Sequence, residues 1–459
     1  MASEDLVPLL LQAGGGILAA FLIGLTLLVA YRAARAPVIA RMAARNILRR
    51  KRRFALVVGG LMIGTAIIAS SLVIGDTLEY IFVNDVYVRL HAVDEYVARE
   101  VGGGLGTPGP PVLAPIPEST FPALREYLDS QRSAVDGVAP ALMQSMPVEN
   151  LNGSQGSPSV LVVGYNDSYE GAFGPLLRRD GAEAPLSSLG PLEAYVNERA
   201  GRELAVEEGH QLRLVFDSTK AAGGFAVVRV GGIVQDWGKA NWERQPQILM
   251  DLSEAQRSLN YTGLINIVRV SNVGDVQAGV VHSAAVSRDL NRAVILNQMP
   301  LTVTEVKADR LREAKEFSQE VEEVFLLMGA FSITSGMLLI VNVFTMLVGE
   351  RKGELGVARA IGVTRSQLLT MLVAEGVLYG LASAAVGVLA GLGLGFLVVY
   401  AFGVIFPPPE AGMVLGFHFD PISLVVAFTA GLVVTYLTVG AAALYFSRLN
   451  IVRAIRDLP

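Results

Sequence analysis

The chain has 459 residues, 52% of them hydrophobic and only 17% charged, with a formal net charge of −5. A mean hydropathy of +0.47 is too apolar for an ordinary soluble domain, yet leaves enough polar sequence for a sizeable water-exposed part. The absence of Cys excludes disulfides and thiolate metal sites.

Residues 1–30 begin with Ser3-Glu4-Asp5 and continue into an apolar stretch, 7–30, that meets the roughly 20 residues a membrane helix needs. Acids rather than basic residues precede it, so it reads as a retained helix and not a cleavable signal peptide. Residues 31–53 then carry nine Lys or Arg and no acid, ending in Arg49-Arg50-Lys51-Arg52-Arg53. Basic side chains stay cytoplasmic, which places the N-terminus outside and makes 54–76 the second span.

Residues 77–303 form the largest polar segment. A Gly/Pro-rich loop at 102–111 comes early, and the pattern of 100–190 is weak. Strand signals sharpen later, at 212–216, 226–230, Ile233-Val234 and 265–270, so this domain is mixed α+β. In 304–323 the apolar positions Val306, Leu311, Ala314, Phe317, Val321 and Val324 recur beside Asp309, Arg310, Lys315 and Glu316. That is an amphipathic stalk helix running without a breaker into a third span at 324–349. It either carries force between bilayer and domain or is an inert connector.

A cytoplasmic loop, 350–367, leads to a fourth span within 368–406. An external loop at 407–420, a fifth span at 421–444 and a cytoplasmic tail at 445–459 complete the chain. The segments 31–53, 350–366 and 445–459 hold 16 Lys or Arg against three acids, whereas 77–322 holds 21 against 32. That asymmetry predicts a multi-span α-helical membrane protein with a large mixed α+β extracytoplasmic domain between the second and third spans. In the fourth span Gly376, Gly380, Gly387, Gly391 and Gly395 make a ridge of small residues that suits close helix packing, within the chain or between copies.

Catalytic chemistry is missing from this pattern. No Gly-x-x-x-x-Gly-Lys-Ser/Thr loop occurs, so the chain is not expected to hydrolyse ATP, and the four His are scattered without ligand spacing. No nucleic-acid partner and no metal are expected. The most specific segment is the loop at 350–367. Read as a helix, Leu355, Ala358 and Ile361 form an apolar stripe beside Arg351, Glu354 and Arg359, with Gly362 as a stop.

This loop resembles the coupling segment of the FtsX/MacB-type ABC transporter permease family, roughly Arg-x-x-Glu-Ile-Gly-x-x-Arg-Ala-Leu-Gly-Ala. Arg351, Glu354, Gly356, Arg359, Ala360 and Gly362 match; Leu355 stands for Ile, Ile361 for Leu and Val363 for Ala. The run from Ala44 to Arg53 with Gly60-Leu61-Met62-Ile63-Gly64 is similar to the family's entry into its first conserved span. Asn197-Glu198, Gly209, Val230-x-Gly232-Ile233-Val234 and 252–256 resemble its periplasmic core domain, and the tail from Leu449 to Arg456 its ending. Coverage runs from about residue 40 to 459. The span at 7–30 is one more than single-unit members have, and is similar to the linker span of duplicated members.

The resemblance implies a non-catalytic permease subunit in the plasma (inner) membrane. It would pair with a second permease unit, as homo- or heterodimer, and with ABC ATP-binding subunits that hold ATP and Mg. Arg351, Glu354, Leu355, Gly356, Arg359, Ala360, Ile361 and Gly362 would form the ATPase-coupling interface. Driven from there, the external domain would extrude or release a lipid, lipoprotein, peptide or hydrophobic drug. The alternative is a mechanotransmitter that transports nothing and switches an external accessory protein such as a cell-wall hydrolase.

Overall fold

The structure, a computed structural model, describes residues 51–101, 112–217, 224–350, 362, 364–405 and 416–447, together with Gly24. The expected span at 7–30, most of the basic segment 31–53, the loop at 102–111 and the tail after 447 lie outside the described residues. Two compact units are formed, residues 1–81 with 316–459, and residues 82–315.

Helix α1 (Lys51–Leu90) starts in the basic run, passes through the apolar one and does not stop where that run meets Asp76. No Pro or Gly occurs from Asp76 to Leu90, so nothing local breaks the helix there. The 82–315 unit then begins with β1 (Glu95–Val101), β2 (Val112–Ala114), β3 (Ile116–Pro117) and α2 (Thr120–Gln131). A long hairpin of β4 (Val135–Asn150) and β5 (Gly156–Tyr165) follows. Next come β6 (Glu193–Asn197), α3 (Glu198–Glu203), β7 (Gln211–Asp217), β8 (Gly224–Val234), β9 (Gln247–Asp251) and α4 (Leu252–Ser258). The unit closes with β10 (Leu264–Ile265), β11 (Ile267–Asn272), α5 (Ser283–Leu296) and β12 (Thr302–Thr304).

β4 organises this unit because its two halves pair differently. Its first half joins the antiparallel run β12-β1-β11-β4. Its last residues, Val148–Asn150, pair with β7 and close β4-β5-β9-β6-β8-β7 into a ring. Alternation along the hairpin feeds two cores, since successive side chains point to opposite faces. Leu142, Met146, Val160 and Val162 join one core with Phe121, Leu124, Val286 and Leu290 from α2 and α5. Met143, Leu161, Val163 and Tyr165 join the other.

Gly137, Pro140 and Pro147 made this segment unreadable as a strand. A register shift between Met146 and Val148 accommodates Pro147. Asn197 is a second organiser: fully buried, its Oδ1 accepts from the backbone N–H groups of Ala200 (2.9 Å) and Gln247 (2.8 Å). Its amide donates to the carbonyls of Ala240 and Gln245, both at 3.0 Å. One side chain thus caps α3 and ties the 238–245 segment to the sheet.

Helices α6 (Val306–Glu350), α7 (Arg365–Ile405) and α8 (Pro421–Ser447) complete the described chain. The stalk's buried positions match the expected stripe only in part. Val306 and Leu311 of the stripe are buried, as are Lys307 and Ser318, whereas Phe317 is 50% and Val324 55% exposed. Leu311 lies four residues after Lys307 and Ser318 seven after Leu311, steps that keep all three on one face of a 3.6-residue helix. Among the described residues, Val57–Leu90 and Gly376–Ile405 are long and apolar enough to cross a bilayer; Pro421–Leu437 is apolar but shorter.

Within the unit of residues 1–81 and 316–459, α1 lies in the glycine groove of α7. A Cβ at Gly391 would stand 2.5 Å from the Ala66 carbonyl oxygen, one at Gly387 2.6 Å from Thr65 Cβ, and one at Gly395 2.9 Å from Val73 Cγ1. Gly380 faces α8 instead, at Thr435 and Tyr436, and Gly376 is buried. The buried hydroxyls of Ser383 and Thr435 donate to carbonyls one turn back in their own helices, so they bring no unpaired donor into an apolar setting. Asp420 caps α8, accepting from Ile422 N–H at 2.8 Å, and Pro421 occupies the first helical position.

Gly391 and Gly393 supply a matched test. Gly391→Val drives a side chain into α1 and is expected to cost about 1–3 kcal/mol through overpacking. Gly393→Val enters open space and should leave the detergent-solubilised protein's melting temperature near that of the parent.

Candidate functional site

Two regions bear on function: the loop between α6 and α7, and the place where the ends of α1 and α6 enter the 82–315 unit. Of the loop, Arg351, Glu354, Leu355, Gly356, Arg359, Ala360 and Ile361 lie outside the described residues. Its flanks are described: α6 ends at Glu350 and α7 begins at Arg365. Gly362 has φ +104° with nothing within 4 Å of a Cβ position, so backbone conformation and not crowding calls for glycine there. Gly380, Gly387, Gly391 and Gly395 take the packing positions given above, and Gly376 is buried.

The second region was not foreseen from sequence. Asp85, in the last turns of α1, is bonded by Arg89 Nε at 2.6 Å and by the buried Arg244. Arg89 also lies 3.7 Å from Glu243, which is 3.7 Å from Arg310 in the second turn of α6. A continuous chain of charges, Arg244–Asp85–Arg89–Glu243–Arg310, therefore joins both helices to the 238–244 segment. Glu243 and Arg244 have φ of +48° and +54°, uncommon for residues with side chains, and this conformation marks the segment that joins the network.

Deeper inside, Lys307 Nζ sits 2.7 Å from Asp94, and both side chains are at most 2% exposed. Lys307 also donates to the Val276 carbonyl at 3.0 Å, and Asp94 accepts from Asn272 N–H at 2.8 Å. The Asn272 amide donates to Glu95 at 2.9 Å and to the Gly279 carbonyl at 3.1 Å. Beside this cluster, the fully buried Arg269 pairs with Glu170, whose other oxygen is 3.4 Å from Lys239 Nζ. The Arg269 guanidinium carbon lies 4.0 Å from the Tyr165 ring centroid and 4.5 Å from that of Phe173. Its Nε and Nη1 have no hydrogen-bond acceptor, so ring faces supply the compensation.

Burial sets the proton affinities here. Desolvation raises the carboxyl of Asp94, opposed by Lys307, and lowers the ammonium of Lys239, opposed by Glu170. Glu95 is pushed up to about 7, because burial outweighs the Ser283 and Asn272 side chains beside it. Among the described residues, no group of three or more His, Cys, Asp or Glu could hold a metal ion. The chemistry this region supports is mechanical: it fixes two long helices to one sheet.

Residues 326–451 match the FtsX-like permease C-terminal family. The Macrolide export ATP-binding/permease protein MacB 1 of Yersinia pestis bv. Antiqua (strain Antiqua) is 23% identical over 378 residues, 80% of this chain and 54% of that protein. MacB 1 of Yersinia pseudotuberculosis serotype I (strain IP32953) matches to the same extent. The chain spans about half the length of these curated relatives. Among solved structures, the periplasmic region of MacB from Actinobacillus actinomycetemcomitans aligns with TM-score 0.33 and 16% identity, over 49% of this chain and 94% of that one. The extracellular domain of the ABC-type transporter YknZ from Gram-positive bacteria gives TM-score 0.31 and 14% identity, over 46% and 99%. Over these residues the chain is similar to FtsX/MacB-type permeases.

The Glu95 carboxyl gives a pH signature. Its folded pKa lies above the unfolded value of 4.5, so its contribution to stability is complete below 4.5 and is lost as pH rises through about 7. Glu95→Gln should gain on the parent by about 2 kcal/mol between pH 5.5 and 8.5, with little further gain above that. Thermal unfolding followed by emission of Trp237 and Trp242, the only two tryptophans, reads this out in the domain that holds Glu95.

Proposed function

We propose that this chain is the permease subunit of an ABC transporter whose ATPase is a separate cytoplasmic polypeptide. That partner holds ATP and Mg and presses on the 350–367 loop, with Arg351, Glu354, Leu355, Gly356, Arg359, Ala360, Ile361 and Gly362 as the contact. Five membrane spans, an external N-terminus and a cytoplasmic C-terminus give the loop its cytoplasmic position. Two such permease units pair around the ATPase subunits.

The observation that carries this reading is the family match over 326–451, which includes the whole coupling loop. The anchoring of α1 and α6 supports its mechanical half. A helix fixed at one end by buried charges passes a displacement on to the sheet it is tied to, because packed interiors resist continuous deformation. The external domain then changes state and extrudes or releases a cargo with an apolar body.

The loop is tested by Glu354→Lys combined with Gly356→Pro, reconstituted with the cassette ATPase. The stimulated ATPase rate is expected to fall about tenfold, within the usual range for coupling between sites. Unchanged turnover with intact complex formation would remove the loop from the mechanism.

A further inference from the structure

The 82–315 unit contains a concavity of ≈ 570 Å³ that borders the helix anchors at Glu243 and Arg310. Its floor is Met143 of β4, Leu161 of β5 and Ile267 of β11, all at most 8% exposed. Tyr96 and Leu113 form one wall and Trp242 another, while Val306 and Arg310 from the first turns of α6 also line it. This volume falls within the range that holds a drug-sized molecule.

The polar groups define what fits. Gln144, Ser145, Ser159 and Gln245 also line the site, and all are uncharged. Ser145 and Ser159 share one 2.7 Å hydrogen bond, which leaves a second hydroxyl proton and lone pairs for a guest. The two charged residues at the site, Glu243 and Arg310, lie 3.7 Å apart and are further engaged by Arg89 and Glu313. An ionic guest would lose hydration without gaining an unpaired counter-charge.

We infer that this concavity binds an uncharged amphiphile, with an apolar skeleton on the Met143–Leu161–Ile267 floor and hydroxyl, carbonyl or amide groups at the Gln144–Ser145–Ser159–Gln245 edge. The binding rests on the geometry of this domain alone. Its consequence, that an occupant bearing on Val306 and Arg310 alters the coupling to the ATPase, rests on the permease reading above.

Trp242 makes the site directly observable. The purified full chain in nanodiscs is titrated with hydrocortisone, an uncharged polyoxygenated steroid, and with cholate, an anionic steroid of similar skeleton. Trp237→Phe assigns the emission signal to Trp242. Hydrocortisone is expected to change that emission saturably, with cholate binding weaker by about tenfold from the cost of desolvating its carboxylate. Ser159→Phe fills the site from an exposed position and should abolish the saturable change without altering the circular dichroism spectrum.

Absence of a saturable signal, equal binding of cholate, or binding undiminished in Ser159→Phe would each overturn the site. Saturable binding that leaves ATPase turnover of the reconstituted complex unchanged would keep the site and remove its link to transport. Loss of binding alongside an intact effect of the Glu354→Lys/Gly356→Pro variant would leave the permease reading standing and this one refuted.

Discussion

Lys307 enters α6 one residue after its start, with its ammonium 2.7 Å from Asp94 and no access to water. Taking both charges out of water costs several kcal/mol each, and their attraction offsets this only with good geometry and further hydrogen bonds. Here the Val276 carbonyl and the Asn272 N–H provide those bonds. Such a pair adds little net stability over an apolar alternative. What it does is admit one placement of the first turn of α6 against β1, because any other leaves a bare charge in the interior. The backbone bond from Lys307 N–H to the Asp94 carbonyl, at 3.2 Å, reinforces the same placement.

The other features of the domain follow from that anchor. With α6 set against β1, Arg310 reaches Glu243, and the charge chain continues through Arg89 and Asp85 to Arg244. Asn197 holds the 238–245 segment to β6 and β9, so the network is tied to the ring of strands as well as to the open run. The concavity on Met143, Leu161 and Ile267 is bounded by the same elements, Trp242 from that segment and Val306 and Arg310 from α6. A guest and a helix displacement therefore act on shared residues, which is the physical requirement for one to influence the other.

Some of this was legible in the sequence and some was hidden for identifiable reasons. The strands at 212–216, 226–230 and 265–270 announce themselves by β-branched residues between turns, and β7, β8, β10 and β11 occupy those stretches. β4 was hidden by Gly137, Pro140 and Pro147, which a bulge and antiparallel partners on both sides accommodate. Tertiary pairing overrides local propensity there. Lys307 was overlooked because a lysine on an amphipathic helix is read as solvent-facing; its four-residue spacing from the buried Leu311 was the available signal. Arg269 sits inside a run of Ile and Val, where a lone charge in an all-buried strand hints at an internal partner. Glu170 and Lys239, far away in sequence, could be assigned to it only once the fold was known. The loop at 350–367 was the reverse case: its residue pattern resembles that of one family, and the family match over 326–451 includes these residues.

If the proposed coupling operates, α6 and the sheet it is anchored to move as one body when the proposed ATPase subunit binds ATP. The chain has no Cys, so nitroxide pairs can be placed without background at Arg312 and Val281, and separately at Val281 and Leu397. In the reconstituted complex, pulsed electron resonance should show the Arg312–Val281 distance unchanged by ATP and the Val281–Leu397 distance shifted. A shift in the first pair with none in the second would mean that the anchor slips and that the account is wrong.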